Sequence, residues 1–544
     1  MNVSAVSPLT IQFSLPRTAA RRTMQFLERR GVLLVIAVLS VVSVASFLQY
    51  YQNGLGLAYN DARSHLDIGR RVVEGLKPGI AQLGSVWLPL THFLMTLTIW
   101  NDFMWHSGLA GALQSMAAFV GTGVLVYRFL KALDVGLLGR FVGVALFAAN
   151  LNILYLQSTA MTELMLIATM TAGAYHLLRW FQKQELVHLI GAGFWIMLST
   201  LVRYDGWFLL ACSALLLFLY GWKRWGYQRA EGTTILFAAL GGFGIALWLL
   251  WNLLIFKDPL FFATGPYSAY AQQKQLETAG VLATKGHWLF SLKVYFYALA
   301  YNSGVLPVLL GLAGALALWM DTRLRPAVRL ATVVLVAPLF FNVLALFLGH
   351  SVLFVQGLSG DTWFNVRYGV MLMPSIAIFV GYLLQRAATL RAPLIGFLLF
   401  VTFFAFVNRD AVTIDDARVG SSQKNVTEVS GWLAEHASGK KGFILISVAS
   451  HDAIIFSSGL PMKKFIHEGT GKYWEHATTS PERWARWMVM RTYSENDATY
   501  RLTKNTPGFQ NYDRVASYPF ADVYELKSEF LHELQTEPVL GKQK

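Results

Sequence analysis

Long apolar runs alternate with short charged segments over the first three quarters of the chain. Runs of about 18 residues or more recur up to residue 408, and a helix of that length crosses a hydrocarbon core of ~30 Å. The pattern predicts an all-α polytopic membrane protein with about eleven transmembrane helices. The predicted spans lie at roughly 31–50, 107–130, 137–157, 161–180, 187–202, 206–222, 233–256, 303–320, 330–349, 366–385 and 393–408.

The pattern changes after residue 408 to that of a water-facing domain. Residues 425–437 have helical spacing, and 442–448 and 486–491 are typical of buried strands. Segments 513–517 and 521–526 flank a Tyr-Pro-Phe turn and are predicted to pair. We therefore expect a small C-terminal α/β domain.

Three parts follow from this organisation. They are a basic N-terminal segment, 1–30, a transmembrane domain, 31–408, with a long first outer loop, 50–106, and a C-terminal domain, 409–544. The first apolar run is too long for a cleavable signal peptide and is not followed by a small-residue cleavage site.

Composition and charge favour the same class and set its orientation. Hydrophobic residues make up 55% and charged residues 14% of the chain, which excludes a soluble globular protein.

The net charge of +14 arises entirely before residue 409, where 28 basic and 14 acidic residues stand, against 17 of each afterwards. Eighteen of those 28 basic residues fall in alternate loops with only 5 acidic ones. Since basic residues concentrate in cytoplasmic loops, they predict a cytoplasmic N-terminus and an extracytoplasmic C-terminal domain in a multi-pass inner (plasma) membrane protein. A nucleic-acid partner is a poor explanation of this charge. The single cysteine, Cys212, allows no disulfide within the chain.

Ionisable residues collect at the outer ends of the predicted spans. Such groups are costly beside lipid unless they face a cavity or a partner, and their restriction to one side indicates an outward-facing site. They are Asp61, Glu163, Arg203, Asp205, Lys257, Asp258 and Arg367.

The segment after the first span is the strongest candidate. Residues 61–76 have helical spacing, with charges of alternating sign on one face, and predict an amphipathic helix at the membrane surface. Asp61 stands in its first turn. His65 and His92 are expected to pack or hydrogen bond rather than bind a metal, because neither has a second histidine at ligand spacing on its own helix.

Each candidate also has a structural interpretation. Asp61 could cap its helix, and Glu163 could complement the dipole at the start of a span. Arg203 and Asp205 could pair locally, and Arg367 could anchor the chain at the interface.

Five short motifs, in order, resemble those of the C-type glycosyltransferase (GT-C) superfamily, in its branch of protein O-mannosyltransferases and lipid A aminoarabinose transferases. In that family's first motif an Asp is followed by another acid, whereas Asp61 here stands between Asn60 and Ala62. The resemblance rests on Asn60-Asp61-Ala62-Arg63, Trp87-Leu88-Pro89-Leu90, Thr162-Glu163-Leu164, Leu201-Val202-Arg203-Tyr204, and Arg367-Tyr368 followed by Pro374.

The resemblance implies an inverting glycosyltransferase that moves a sugar from a polyprenyl-phosphate carrier to a lipid, glycan or protein acceptor at the outer face. In this scheme Asp61 is the base, and Glu163 and Asp205 orient the acceptor or sugar. Arg203, Arg367 and Lys257 bind the donor phosphate, and Tyr267 in a long outer loop closes over the donor.

Other functions stay open at this point. A transporter or flippase of lipid-linked intermediates would also place charges in a cavity, although usually near the bilayer midplane and often with internal repeats. An assembly protein acting through its outer domain, or another lipid-linked transfer, shares the setting. No cofactor is predicted; a divalent metal stays compatible with the chemistry, but no ligand motif supports one.

Overall fold

The computed structural model describes residues 17–265, 268–420 and 425–538, and within them helices dominate. The α-helices are α1 Arg17–Gln52, α2 Asn60–Val73, α3 Leu90–Met95, α4 Asp102–His106, α5 Leu109–Ala132, α6 Leu137–Ala148, α7 Leu151–Leu156, α8 Glu163–Lys183, α9 Leu186–Thr200, α10 Asp205–Trp225, α11 Tyr227–Phe256, α12 Phe261–Thr264, α13 Ala269–Thr278, α14 Trp288–Ser303, α15 Val305–Met320, α16 Pro326–Ala331, α17 Ala337–Leu348, α18 Met373–Arg386, α19 Arg391–Asn408, α20 Val412–Val419, α21 Thr427–His436, α22 Val448–Ser458, α23 Lys472–Thr479, α24 Pro481–Trp484 and α25 Ala498–Thr503. Short 3₁₀ helices, among them Val366–Leu372 and Glu468–Thr470, connect several of these.

Every predicted apolar run is helical, which confirms an integral membrane protein of the all-α polytopic class. By length and hydropathy, seven described helices can cross a membrane, or eight if the pair α14 and α15, bent by 109°, forms one span. Two shorter apolar helices, α6 and α9, accompany them. The count of eleven therefore stays a prediction.

A five-stranded sheet lies in the C-terminal region, residues 425–538. Its strands are β1 Phe443–Ile446, β2 Phe465–Ile466, β3 Ala485–Met490, β4 Tyr512–Ser517 and β5 Asp522–Leu526. The order is β2-β1-β3-β5-β4. Strand β1 pairs in parallel with β2 and β3, and β5 pairs antiparallel with both β3 and β4. The predicted strands and the predicted pairing of β4 with β5 are confirmed. The two-residue β2 was not predicted, because so short a strand leaves no alternating pattern.

The surface helix of the first outer loop differs from its prediction. Helix α2 forms, but nine of its fourteen residues are buried, because it lies between the transmembrane bundle and α22 of the C-terminal region. Its charges do not form the expected ladder along one face. Only Arg70 bonds to Glu74, at 2.6 Å, while Arg63 and Asp67 turn to partners on other elements.

The loop before α8 is held by close packing against α5. A Cβ added at Gly111 would lie 2.3 Å from the Cβ of Ala160, and Ser115 donates to the carbonyl of Met161. A small residue at position 111 thus lets this loop approach α5 and fixes the start of α8, where Glu163 stands.

Candidate active site

The guanidinium of Arg367 lies at the centre of a group of three carboxylates. Its Nη2 donates to Oδ2 of Asp61 at 2.7 Å, and its Nε donates to Oε1 of Glu163 at 3.0 Å. Oδ2 of Asp416 lies 3.7 Å from its Nη1. Arginine suits this place because it keeps its charge and presents a planar fork of donors.

These four side chains come from four separate elements. Asp61 is in the first turn of α2, and Glu163 is the first residue of α8, where an acid complements the helix dipole. Arg367 stands in the 3₁₀ helix Val366–Leu372, and Asp416 is in α20. The cluster is therefore a product of tertiary structure.

Two tyrosine rings flank the arginines. The guanidinium of Arg367 lies 4.9 Å from the ring centre of Tyr59, and that of Arg203 lies 4.6 Å from the ring of Tyr368. Burial, together with the carboxylate of Asp416, raises the pKa of Tyr59 well above its ordinary value. The phenol therefore stays protonated, and its hydroxyl donates a hydrogen bond to Oδ2 of Asp416 at 3.0 Å.

Two further residues join the same group: Arg203, in the loop between α9 and α10, and Asp205, the first residue of α10. Nη1 of Arg203 lies 3.5 Å from Oε1 of Glu163, and its Nε lies 3.4 Å from Oδ2 of Asp205. Glu163 thus contacts both arginines. The contacts of Arg203 are longer than those of Arg367, so it is the less tightly engaged cation.

Exposure separates the residues that a substrate can reach from those it cannot. The side chain of Asp61 is 34% exposed and that of Arg203 22%, whereas Arg367 is 4% exposed and Glu163 is fully buried. Asp61 and Arg203 therefore face the accessible side of the cluster, and Arg367 and Glu163 support them from within.

A histidine pair lies one turn along α2 from Asp61. Nδ1 of His65 is 2.7 Å from Nε2 of His92, and the ring of Trp87 lies 4.4 Å from that of His65. Burial, followed by the charges of Arg367 and Arg203, lowers the pKa of His65 to about 3. Both rings are thus hydrogen-bonding groups, in line with the sequence interpretation.

The structure brings together five of the seven predicted site residues: Asp61, Glu163, Arg203, Asp205 and Arg367. Lys257, the residue after α11, is exposed and donates to the carbonyl of Leu254 in that helix; no described contact joins it to the cluster. Tyr267 lies outside the described residues.

Sequence reasoning missed Asp416 and Tyr59. Asp416 follows the last apolar run, where acids are common and no local pattern marks one of them. The adjacent second acid that the resemblance leads one to expect is absent, but Glu163 and Asp416 bring two further carboxylates to Arg367 from distant positions.

A cavity of about 800 Å³ is lined by residues of α14, α15 and α19 and of the junction between α6 and α7. Its wall is largely apolar, with Asn152 and Asn302 at its polar part. Asn302 donates to the carbonyl of Val366 at 2.7 Å, and Thr413 donates to Asn152 at 2.8 Å. Hydrogen bonds thus join the cavity wall to Val366, next to Arg367, and to Thr413, in the same helix as Asp416.

Within the described residues, no group of three or more His, Cys, Asp or Glu side chains is arranged to hold a metal ion. The carboxylates of the cluster are instead engaged by Arg367 and Arg203.

The bundle, the outer loops and the C-terminal sheet together have the fold of the C-type glycosyltransferases, which confirms the resemblance at the level of fold. The chain superposes on ArnT from Cupriavidus metallidurans bound to undecaprenyl phosphate with a TM-score of 0.54 and 12% identity, covering 92% of this chain and 99% of that one. The apo state of the same protein gives a TM-score of 0.54 at 14% identity and the same coverage. The archaeal oligosaccharyltransferase AglB from Archaeoglobus fulgidus, in complex with an inhibitory peptide and a dolichol-phosphate, gives 0.50 at 11% identity, covering 93% of this chain and 75% of that one. No protein-family model and no curated protein sequence matches the chain.

Proposed function

We propose that this protein is an inverting glycosyltransferase that moves a sugar from a polyprenyl-phosphate carrier to an acceptor hydroxyl at the extracytoplasmic face. One observation carries the proposal: ion pairs join Asp61 to Arg367, and Glu163 to both Arg367 and Arg203, on a fold shared with ArnT and AglB. Structures of those two proteins hold undecaprenyl phosphate and dolichol-phosphate.

Asp61 is the group placed to act as the base. Its carboxylate is partly exposed, and Arg367 fixes its orientation through the 2.7 Å bond. As the acceptor oxygen attacks the anomeric carbon, its proton passes to Asp61. The bond from that carbon to the phosphate oxygen breaks on the opposite face, which inverts the configuration.

The departing lipid phosphate needs a cation where its charge develops. Arg203 fits this role better than Arg367, because it is more exposed and its carboxylate contacts are longer. Arg367 is engaged by three acids and is nearly buried. We therefore assign Arg367 to orienting Asp61, with Glu163 joining the two arginines, and Arg203 to the phosphate.

The apolar cavity supports a donor or acceptor with a hydrocarbon chain. Its volume of about 800 Å³ is in the range of ligand sites, and its walls belong to apolar helices that are candidate membrane spans. A chain lying there would bring an attached headgroup towards Arg367 and Asp416.

The direct test uses purified protein in lipid nanodiscs with a radiolabelled polyprenyl-phosphate sugar and a membrane extract as acceptor. We expect Asp61→Asn to lower the transfer rate by about a hundredfold or more, because general-base catalysis contributes about 10²–10⁴. Asp258→Asn is the matched control, since Asp258 is a half-buried acid two residues after α11 that accepts a hydrogen bond from the amide of Leu260.

Two results would contradict the proposal. Wild-type protein that transfers no label from any of a panel of polyprenyl-phosphate sugars would remove the activity. Wild-type transfer that Asp61→Asn leaves unchanged would keep the activity and remove Asp61 as its base.

A further inference from the structure

The cavity among α14, α15 and α19 contains a break between two helices. Helix α14 ends at Ser303, and Gly304, with a φ of 81°, separates it from α15; the two helices are bent by 109°. The side chains of Asn150 and Asn152 fix this end of α14, because both donate to the carbonyl of Asn302, at 2.7 and 3.0 Å. In membrane proteins, broken helices of this kind often line binding sites.

Two buried oxygen atoms at the break have no hydrogen-bond partner among the described residues: Oδ1 of Asn302 and Oγ of Ser303. The amide nitrogen of Asn302 is engaged, since it donates to the carbonyls of Ala298 at 2.8 Å and Val366 at 2.7 Å. The oxygen left over is an acceptor, so its partner must be a donor. Both residues line the cavity and are almost fully buried. Because buried polar atoms are nearly always hydrogen bonded, a ligand in the cavity is a suitable source of that donor.

The charge of the wall excludes an anionic head. Among the described residues that line the cavity there is no Lys, Arg or His, and the single carboxylate is that of the exposed Asp410. A phosphate diester brings a negative charge that finds no cation here, and it has no proton to donate to Asn302. Arg203, the cation assigned to the donor phosphate, does not line this cavity. The cavity therefore fits an uncharged head with O–H or N–H groups.

The rest of the wall is apolar and belongs to helices that face lipid. Leu309 of α15 and Phe400 and Phe404 of α19 line the cavity with exposed side chains, and the two phenyl rings lie 4.6 Å apart. Within α19, which the structure describes in full, Leu398 is the one buried residue. These side chains stand inside their helices, whereas Asn302 and Ser303 stand at a helix end. A wall that is polar at a helix end and apolar along two helices suits an amphiphile with one hydrocarbon chain or more.

We propose that this cavity binds the acceptor of the transfer reaction, and that the acceptor is a membrane lipid with an uncharged head that carries hydroxyl groups. One hydroxyl donates to Oδ1 of Asn302 and a second bonds to Ser303, while the chain lies along α15 and α19. A further hydroxyl of the head attacks the donor and gives its proton to Asp61. The acceptor role rests on the proposed function, because the donor is the anionic one of its two substrates; the lipid site does not rest on it.

Photolabelling of the full chain in lipid nanodiscs tests the lipid site. Three probes share one alkyl chain with a diazirine and differ in the head, which is a glucoside, its permethylated form or a methyl phosphodiester. The glucoside alone combines O–H groups with zero charge. We expect it to label peptides of α14, α15 and α19 at concentrations about tenfold or more below those of the other two probes, since each of them leaves a buried acceptor unpaired.

Two variants locate the binding. Ser303→Ala removes a hydroxyl that has no partner in the described chain and should weaken labelling by the glucoside about two- to tenfold, the range of one neutral hydrogen bond. Ala405→Trp fills the cavity from α19 and should weaken it by about tenfold or more. Val407→Trp is the matched control, because Val407 is exposed on the same helix and does not line the cavity. If Ala405→Trp fails to fold, Ser303→Ala still decides the matter.

The transfer assay tests the acceptor role with the glucoside probe kept in the dark. We expect the probe to inhibit transfer, and the inhibition to be relieved by more membrane extract but not by more polyprenyl-phosphate sugar. Ala405→Trp should raise the concentration of probe needed for inhibition about tenfold or more and leave the KM for the donor unchanged.

The outcomes separate the cavity from the proposed function. Equal labelling by the glucoside and the phosphodiester would overturn the uncharged head, and wild-type labelling of folded Ser303→Ala and Ala405→Trp would overturn the site. Inhibition relieved by the donor instead of the extract would overturn the acceptor role. An inactive wild type would remove the proposed function and the acceptor role with it, whereas selective labelling by the glucoside would still support the lipid site.

Discussion

At the scale of the residue, the two arginines of the site have different environments although both were predicted at the outer ends of spans. Arg367 has carboxylates on three sides and is nearly buried, while Arg203 keeps a face towards the accessible side. Removing Arg367 would leave three acids without their common partner, so loss of activity in such a variant would not distinguish chemistry from folding. Arg203 is the better residue to test.

We expect Arg203→Ala to raise the KM for the polyprenyl-phosphate sugar by about tenfold to a hundredfold, the range of a lost hydrogen bond to a charged group. Arg203→Lys should recover part of the loss, since a lysine restores the charge but not the planar fork. Initial rates over a series of donor concentrations measure both. Lys274→Ala, at an exposed cation of α13, is the comparison. An unchanged KM in Arg203→Ala would remove Arg203 from the phosphate site.

The sequence shows which residues are candidates but not what they contact. The sequence identifies Asp61, Glu163 and Arg367 because ionisable residues at the ends of apolar runs are unusual. All three also lie on the same predicted side of the membrane. Asp416 carries no such signal, since it follows the last run among other acids. The alternating charges of α2 were misread for the same reason: Arg63 and Asp67 bond across to distant elements, and helical spacing cannot show this.

At the scale of the element, the start of α8 depends on its contact with α5. Gly111 faces Ala160 so closely that a methyl group would overlap it, and Glu163 stands three residues further on. The position of this acid relative to Arg367 is thus set by a glycine on another helix.

Gly111→Ala should displace the loop before α8 and destabilise the protein by about 1–3 kcal/mol, the usual cost of an overpacked site. Gly121→Ala on the same helix is the matched control, because a Cβ there meets nothing within 4 Å. Thermal unfolding in nanodiscs measures the difference. Equal stability of the two variants would show that the loop adapts without cost.

At the scale of the whole molecule, the apolar runs were enough to predict the class, the bundle and the sheet region. They were not enough to predict the number of spans, because hydropathy does not show that α14 and α15 are bent by 109° and count as one broken span at most. The docking of the C-terminal region on α2 was also beyond the sequence, since its bonds join residues hundreds of positions apart.

The sidedness of the protein can be tested by labelling with a membrane-impermeant maleimide in a Cys212→Ser background. Asp513→Cys, in an exposed part of β4, should be labelled on intact cells from which any outer permeability barrier has been removed. Arg224→Cys, in the exposed end of α10, should be labelled only after lysis. These outcomes follow from the concentration of basic residues in cytoplasmic loops. Labelling in the reverse order would invert the orientation.

The residues that bond to α2 and to the residue before it lie hundreds of positions later in the chain, so they are synthesised long after α2. Tyr59, the residue before α2, bonds to a residue 357 positions later, and Arg71 of α2 bonds to one 381 positions later. At about 5–20 residues per second, ribosomes reach these partners on the order of twenty to eighty seconds after α2 has been made. The growing chain therefore cannot complete this cluster until its last quarter has emerged, so a chain truncated before Asp416 would lack the acid that Tyr59 and Arg367 contact.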